Sequence, residues 1–60
     1  MEKYRKEIDE LIIKICLRQI SNDRWSVSKY IFKHFDYLSL VEQSRILCYM
    51  DDIHAIRWEG

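Results

Sequence analysis

The sequence predicts an all-α, three-helix small domain, and three observations carry that expectation. There is no proline and the only glycine is the last residue, so the tight turns that join strands lack the residues suited to them. Apolar side chains recur at spacings of three and four, the period of a helix face. Capping signals stand at Ser21-Asn22-Asp23 and at Ser39, between the apolar runs. Sixty residues make one domain, 1–60.

The first helix is expected over 2–20. Tyr4, Ile8, Leu11, Ile12 and Ile15 follow one face. Lys3, Glu7, Glu10, Lys14 and Arg18 line the other, with Glu10 and Lys14 in the favourable i, i+4 order. Ile13, Cys16, Leu17 and Ile20 lie beyond that stripe. They widen the apolar arc to roughly 240°, more than one neighbouring helix can cover.

Ser21-Asn22-Asp23 is a turn and capping cluster, because each side chain can accept from a free N–H of the following helix. The second helix is expected over 24–36. Val27, Tyr30, Ile31, His34 and Phe35, then Leu38, share one side; Lys29 and Lys33 share the other. Trp25 and Phe32 fall on a flank. Ser39-Leu40-Val41-Glu42 is the sharpest local signal, a capping box in which Ser39 and Glu42 satisfy one another's backbone N–H groups. The third helix is therefore expected over 40–52, with Leu40, Ile46, Leu47, Met50 and Ile53 inward and Glu42, Arg45 and Tyr49 outward. Asp51-Asp52 ends it, or it continues to Trp58: Ile53 and Ile56 fit a further helix turn, whereas His54, Ile56 and Trp58 alternate as a short strand would.

A chain this short buries only about 60% of the surface that its unfolded form exposes, so it needs reinforcement. Cys16 and Cys48 could form one disulfide. The start Met1-Glu2-Lys3-Tyr4-Arg5-Lys6 does not read as a signal peptide. A cytoplasmic location is expected, and with it reduced thiols that act as small core or interface hydrophobes. Cys48, Asp51, Asp52 and His54 lack the C-x-x-C or H-x-x-x-H spacing that sets two ligands beside one ion, so no metal is expected. No run of 18 apolar residues marks a membrane span.

Partner chains remain. Hydrophobic residues are 48% of the sequence and most are large, including nine Ile, five Leu, two Trp and four Tyr. That exceeds what three short helices can bury. Ile13, Leu17, Ile20, Trp25, Phe32 and Trp58 are the expected protein interface, used first for homo-oligomer formation. Trp and Tyr left near a surface are typical interface anchors.

An enzyme is not expected, nor a cofactor. G-x-S-x-G, H-E-x-x-H and glycine-rich phosphate loops are all absent. His34, on the apolar side of the second helix, reads as a core or interface histidine; His54, beside Asp51, reads as a helix cap. The alternative function is a DNA-associated, helix-turn-helix-like regulator using the Arg24–Lys33 surface, where Arg24, Lys29 and Lys33 interleave with Tyr30, His34 and Tyr37. Ten basic side chains balance ten acidic ones. Nucleic acid is therefore the lesser expectation, and a protein partner the greater.

In size, helical texture and Ile- and Lys-rich composition the whole chain resembles the small accessory proteins of lambdoid bacteriophage early regions. The likeness is one of size and composition, carried by no motif. It implies a regulatory or accessory role through binding a host or phage protein in the host cytoplasm. It transfers no functional residue.

Overall fold

A computed structural model describes residues 2–57. A single 3₁₀ turn, Glu2–Tyr4, leads into α1 (Arg5–Cys16); α2 (Arg24–His34) and α3 (Leu40–Asp52) follow. Helix α3 packs on both of the others. Among the described residues there is no strand, only an isolated parallel bridge between Asp23 and Arg57. The all-α expectation holds, and among the described residues no helix is long and apolar enough to cross a membrane.

The core draws on every element. Tyr4, Ile8 and Leu11 enter it from the first turn and α1, Val27 and Ile31 from α2, and Ile46 and Met50 from α3. Phe35 and Ile56 enter from the segments after α2 and α3. The three- and four-residue intervals place these side chains on one face of each helix. Leu11, Val27, Ile46 and Met50 are fully buried; a side chain of this kind contributes about 1.5–3 kcal/mol on burial. Ile12, Ile15, Ile20, Leu38 and Leu47 pack around them, partly covered.

Helices α2 and α3 begin on side-chain caps. Asp23 accepts from the Ser26 backbone N–H at 3.0 Å and from the Ser26 hydroxyl at 2.8 Å. Ser39 Oγ accepts from the Glu42 N–H while Glu42 Oε1 accepts from the Ser39 N–H, both at 3.2 Å. The capping box read from the sequence is therefore present. Glu42 does more than close it. Its carboxylate also accepts the Tyr4 hydroxyl at 2.9 Å and lies 3.5 Å from Lys3 Nζ, which ties the first turn to α3. The Ser39 N–H, the Tyr4 hydroxyl and Lys3 hold the Glu42 carboxyl below its ordinary range.

Two further tyrosines bridge elements in the same way. The Tyr30 hydroxyl on α2 donates to Glu10 on α1, and the Tyr37 hydroxyl donates to Glu7 at 2.6 Å. Both phenols are pushed up to about 12, Tyr30 chiefly by burial and Tyr37 chiefly by its bond to Glu7. The Phe35 ring packs edge-on against both, with centroids 5.8 and 6.2 Å away. Gln43 Nε2 donates to the carbonyls of Phe35 and Leu38, which pins the α2–α3 connection from the α3 side.

Two expected helix ends are corrected, and so is the extension of the third helix. Helix α1 stops at Cys16 instead of running to Ile20. Arg18 turns left-handed, with φ 58°, and its N–H donates to Ile15 O while that of Gln19 donates to Lys14 O. This pair of bonds is a Schellman closure, usually built on glycine. Helix α2 ends at His34, two residues short of Asp36. Helix α3 ends at Asp52 as expected, but residues 53–57 do not extend it. His54 takes φ 59°, and the N–H groups of His54 and Ala55 close onto Asp51 O and Met50 O. The chain then returns to the start of α2. Arg57 N–H donates to Asn22 O at 2.8 Å, and Arg57 O accepts from the Arg24 N–H at 3.3 Å. The latter satisfies one of the N–H groups that a helix start leaves without an internal partner.

Several facings are corrected with them. His34 is exposed, not buried on the apolar side; it stacks on Tyr30 with centroids 4.2 Å apart. Leu40 and Ile53 are exposed and Tyr49 is half-buried, the reverse of the expected sorting. Cys16 and Cys48 are free and exposed, so neither is a core thiol. Among the described residues no three His, Cys, Asp or Glu side chains converge as a metal site would require.

Candidate interaction surface

Helix α2 separates its side chains by chemistry. Val27 and Ile31 point to the core, whereas the exposed residues are Arg24, Trp25, Lys29, Phe32, Lys33 and His34. No Asp or Glu lies within the helix. Its outer face is thus wholly basic and aromatic. Trp25, Lys29 and Phe32 stand at i, i+4 and i+7, one stripe along the helix. Lys29 Nζ lies 5.8 Å from the Trp25 ring centroid; such a cation–π contact at an exposed site contributes about 0.5–1 kcal/mol and leaves the charge in place. Among the described residues neither Lys29 nor Lys33 is paired with a carboxylate.

Phe32 is a ridge between two depressions. On one side Ile20, Lys29, Tyr30, Lys33, His34 and Asp36 border a shallow hollow of about 680 Å³. On the other, Ile31 and Phe32 of α2 face Leu40, Gln43 and Leu47 of α3 across a groove of about 390 Å³. The apolar surface continues over the outer side of α3. There Leu40, Val41, Cys48 and Tyr49 line an open depression of about 520 Å³. Trp25, Phe32 and Leu40 remain 72%, 67% and 70% exposed, which is unusual for side chains this large so close together.

The expected interface residues divide. Trp25 and Phe32 lie on the α2 stripe. Ile13 and Leu17, 55% and 62% exposed, sit one turn apart at the end of α1. Ile20 does not join them: the reversal at Arg18 carries it away from α1 to pack partly against the core. Trp58 lies outside the described residues. The wide apolar arc expected on α1 assumed four more helical residues than form. Sequence reasoning missed Leu40 and Val41 as surface groups: Leu40 shares the spacing of the inward stripe, but at the first position of α3 it is left uncovered.

Of the possible nucleic-acid surface, Arg24, Lys29 and Lys33 are all exposed on α2. The second half of a helix-turn-helix would be α3, which turns outward Leu40, Val41, Ser44, Arg45, Cys48 and Asp52. One arginine in that set is suited to a base edge, and Asp52 repels phosphate.

No protein-family model, curated protein or solved structure matches this chain.

Proposed function

We propose that this protein is a non-enzymatic protein-interaction module, a small regulatory or accessory factor that forms a homo-oligomer and binds a second protein. The observation that carries the reading is the set of large apolar side chains left exposed on all three helices: Ile13 and Leu17, Trp25 and Phe32, Leu40 and Val41. A domain of this size gains stability by covering such groups with another chain. The likeness to phage accessory proteins supports a host protein as the second partner, met in the host cytoplasm. The outward row of α3 weighs against the DNA-associated alternative, since it offers few base-reading groups.

Self-association is assigned to the Ile13–Leu17 end of α1. Sedimentation equilibrium at micromolar concentration should give a multiple of the 7.4 kDa chain mass. Leu17 is exposed in the folded chain, so Leu17→Glu should leave the helical signal intact. It should nonetheless shift the mass to that of a monomer, because burying an unpaired carboxylate at the contact costs several kcal/mol. A monomeric wild type at high concentration refutes self-association.

A further inference from the structure

We propose that the outer face of α2 docks an acidic, amphipathic segment of a partner protein, with Trp25 and Phe32 as apolar anchors and Lys29 and Lys33 as charge contacts. This specifies the partner's chemistry for the interaction reading above and rests on it.

Charge complementarity selects the occupant. The net charge of the chain is zero, but at physiological salt a charge is felt only over about 8 Å, so the local sign governs docking. Locally α2 offers cations and aromatic rings and no anion. Of the carboxylates at its flanks, Glu10 already accepts the Tyr30 hydroxyl and Asp23 is engaged by Ser26; Asp36 lines the hollow as well, where it is outnumbered by Lys29 and Lys33. A complementary segment carries carboxylates for Lys29 and Lys33. It also carries apolar side chains for the hollow beside Tyr30 and the groove beside Leu40. A helix with apolar residues on one side and acids along its border meets both demands.

Nucleic acid fits half of this face. Phosphates would meet Lys29 and Lys33, and bases could stack on Trp25 or Phe32. Across the Phe32 ridge, however, the surface is Leu40 and Leu47, and the outward row of α3 ends in Asp52. A phosphate backbone gains nothing there, whereas an amphipathic peptide buries apolar surface. A second copy of the chain is the remaining occupant, with the acids of α1 as its contribution.

The test selects peptides from a displayed random library on the immobilised full-length chain, then measures one enriched peptide by fluorescence anisotropy. The enriched sequences should combine Asp or Glu with Leu, Phe or Trp. Affinity should fall roughly tenfold or more with Phe32→Ala, and again with Lys29→Glu plus Lys33→Glu. Leu17→Glu should leave it unchanged. All these positions are exposed, and circular dichroism confirms that each variant is folded. Enriched peptides without acids, or acidic peptides that bind the charge-reversed variant equally, overturn the docking site. So does a duplex or single-stranded oligonucleotide that binds more tightly than the peptide and displaces it. If Phe32→Ala dissolves the oligomer in sedimentation, a second copy holds this face and the proposal falls. A selection that enriches nothing also overturns it; only together with a monomeric wild type does that result overturn the interaction reading itself.

Discussion

At Asp23 and Ser39 a helix begins on a side chain, whereas at Arg18 and His54 a helix ends on the backbone alone. The two starts use residue types that satisfy orphan N–H groups at little conformational cost. The two ends adopt the Schellman geometry without glycine, at φ 58° and 59°. A side chain with a Cβ carries a cost of about 1–2 kcal/mol in that region. The closures persist because the next segments have somewhere to go. After Arg18, Ile20 reaches the core; after His54, Ile56 does, and Arg57 pairs with Asn22. The side-chain caps of α2 and α3 are each closed within four residues. A helix end is secured by tertiary structure.

The largest effect that would break this comparison is expected at Arg18. Proline there fixes φ near −65° against an observed 58°, and removes the N–H that donates to Ile15 O. Arg18→Pro should cost on the order of 3 kcal/mol, a large part of a total stability of about 5 kcal/mol. Arg18→Gly should act in the opposite sense and gain up to about 1 kcal/mol, reduced by the extra freedom glycine has when unfolded. Urea titrations of both variants measure the pair. If glycine destabilises, the left-handed turn is not what ends α1.

Ser39 comes next. Ser39→Ala should cost about 1 kcal/mol, as loss of a serine cap does. In a Glu42→Ala background the same change should cost less, because the two residues share one box. Glu42→Ala alone should lower the melting midpoint more than a box partner would, since it also releases the Tyr4 hydroxyl and Lys3. Thermal melts of the two single variants and the double variant measure that coupling. Equal costs in both backgrounds would mean that Ser39 and Glu42 cap independently.

What could be read from the sequence follows the same division. The starts of α2 and α3 were visible because their signals are local: Asp23 stands three residues before Ser26, and Ser39 three before Glu42. The inward stripe of α1 and the outward flank of Trp25 and Phe32 follow from a period alone. The end of α1 was not visible, because with no internal glycine its turn falls on Arg18, which carries no turn signal; α3 ends at Asp52 as the sequence predicts, but its closure through a left-handed His54 could not be read in advance. Nor could the tyrosine bridges be seen, since Tyr4–Glu42, Tyr30–Glu10 and Tyr37–Glu7 join residues 38, 20 and 30 apart. Misplacing the end of α1 by four residues is also what grouped Ile20 with Ile13 and Leu17, whereas it borders the hollow beside Tyr30. The α2 half of the candidate surface was therefore legible, and its continuation across Leu40 and Val41 was not.

The smallest effect concerns how Asp23 secures α2, and it sharpens the account of helix starts by separating hydrogen bonding from charge. Bonds from Ser21 and from the Ser26 hydroxyl and N–H hold the Asp23 carboxyl at about 2, below its ordinary 3.8. A depressed carboxylate lends stability that is present above the unfolded value and is lost as pH falls through the folded one. The window for Asp23 is therefore from about pH 4 down to about pH 2. Asparagine caps almost as well and does not titrate. Asp23→Asn should thus fold normally and be slightly less stable than wild type at neutral pH, where it lacks the negative charge that a helix start favours. That difference should hold down to about pH 4 and then shrink steadily towards pH 2. Other acids with depressed values, Glu42 among them, titrate in both proteins and cancel in the subtraction. Urea titrations of the two proteins across the acid range give the difference directly. A gap that stays constant to pH 2 would show that the cap acts through geometry alone and that the charge on Asp23 contributes nothing to the start of α2.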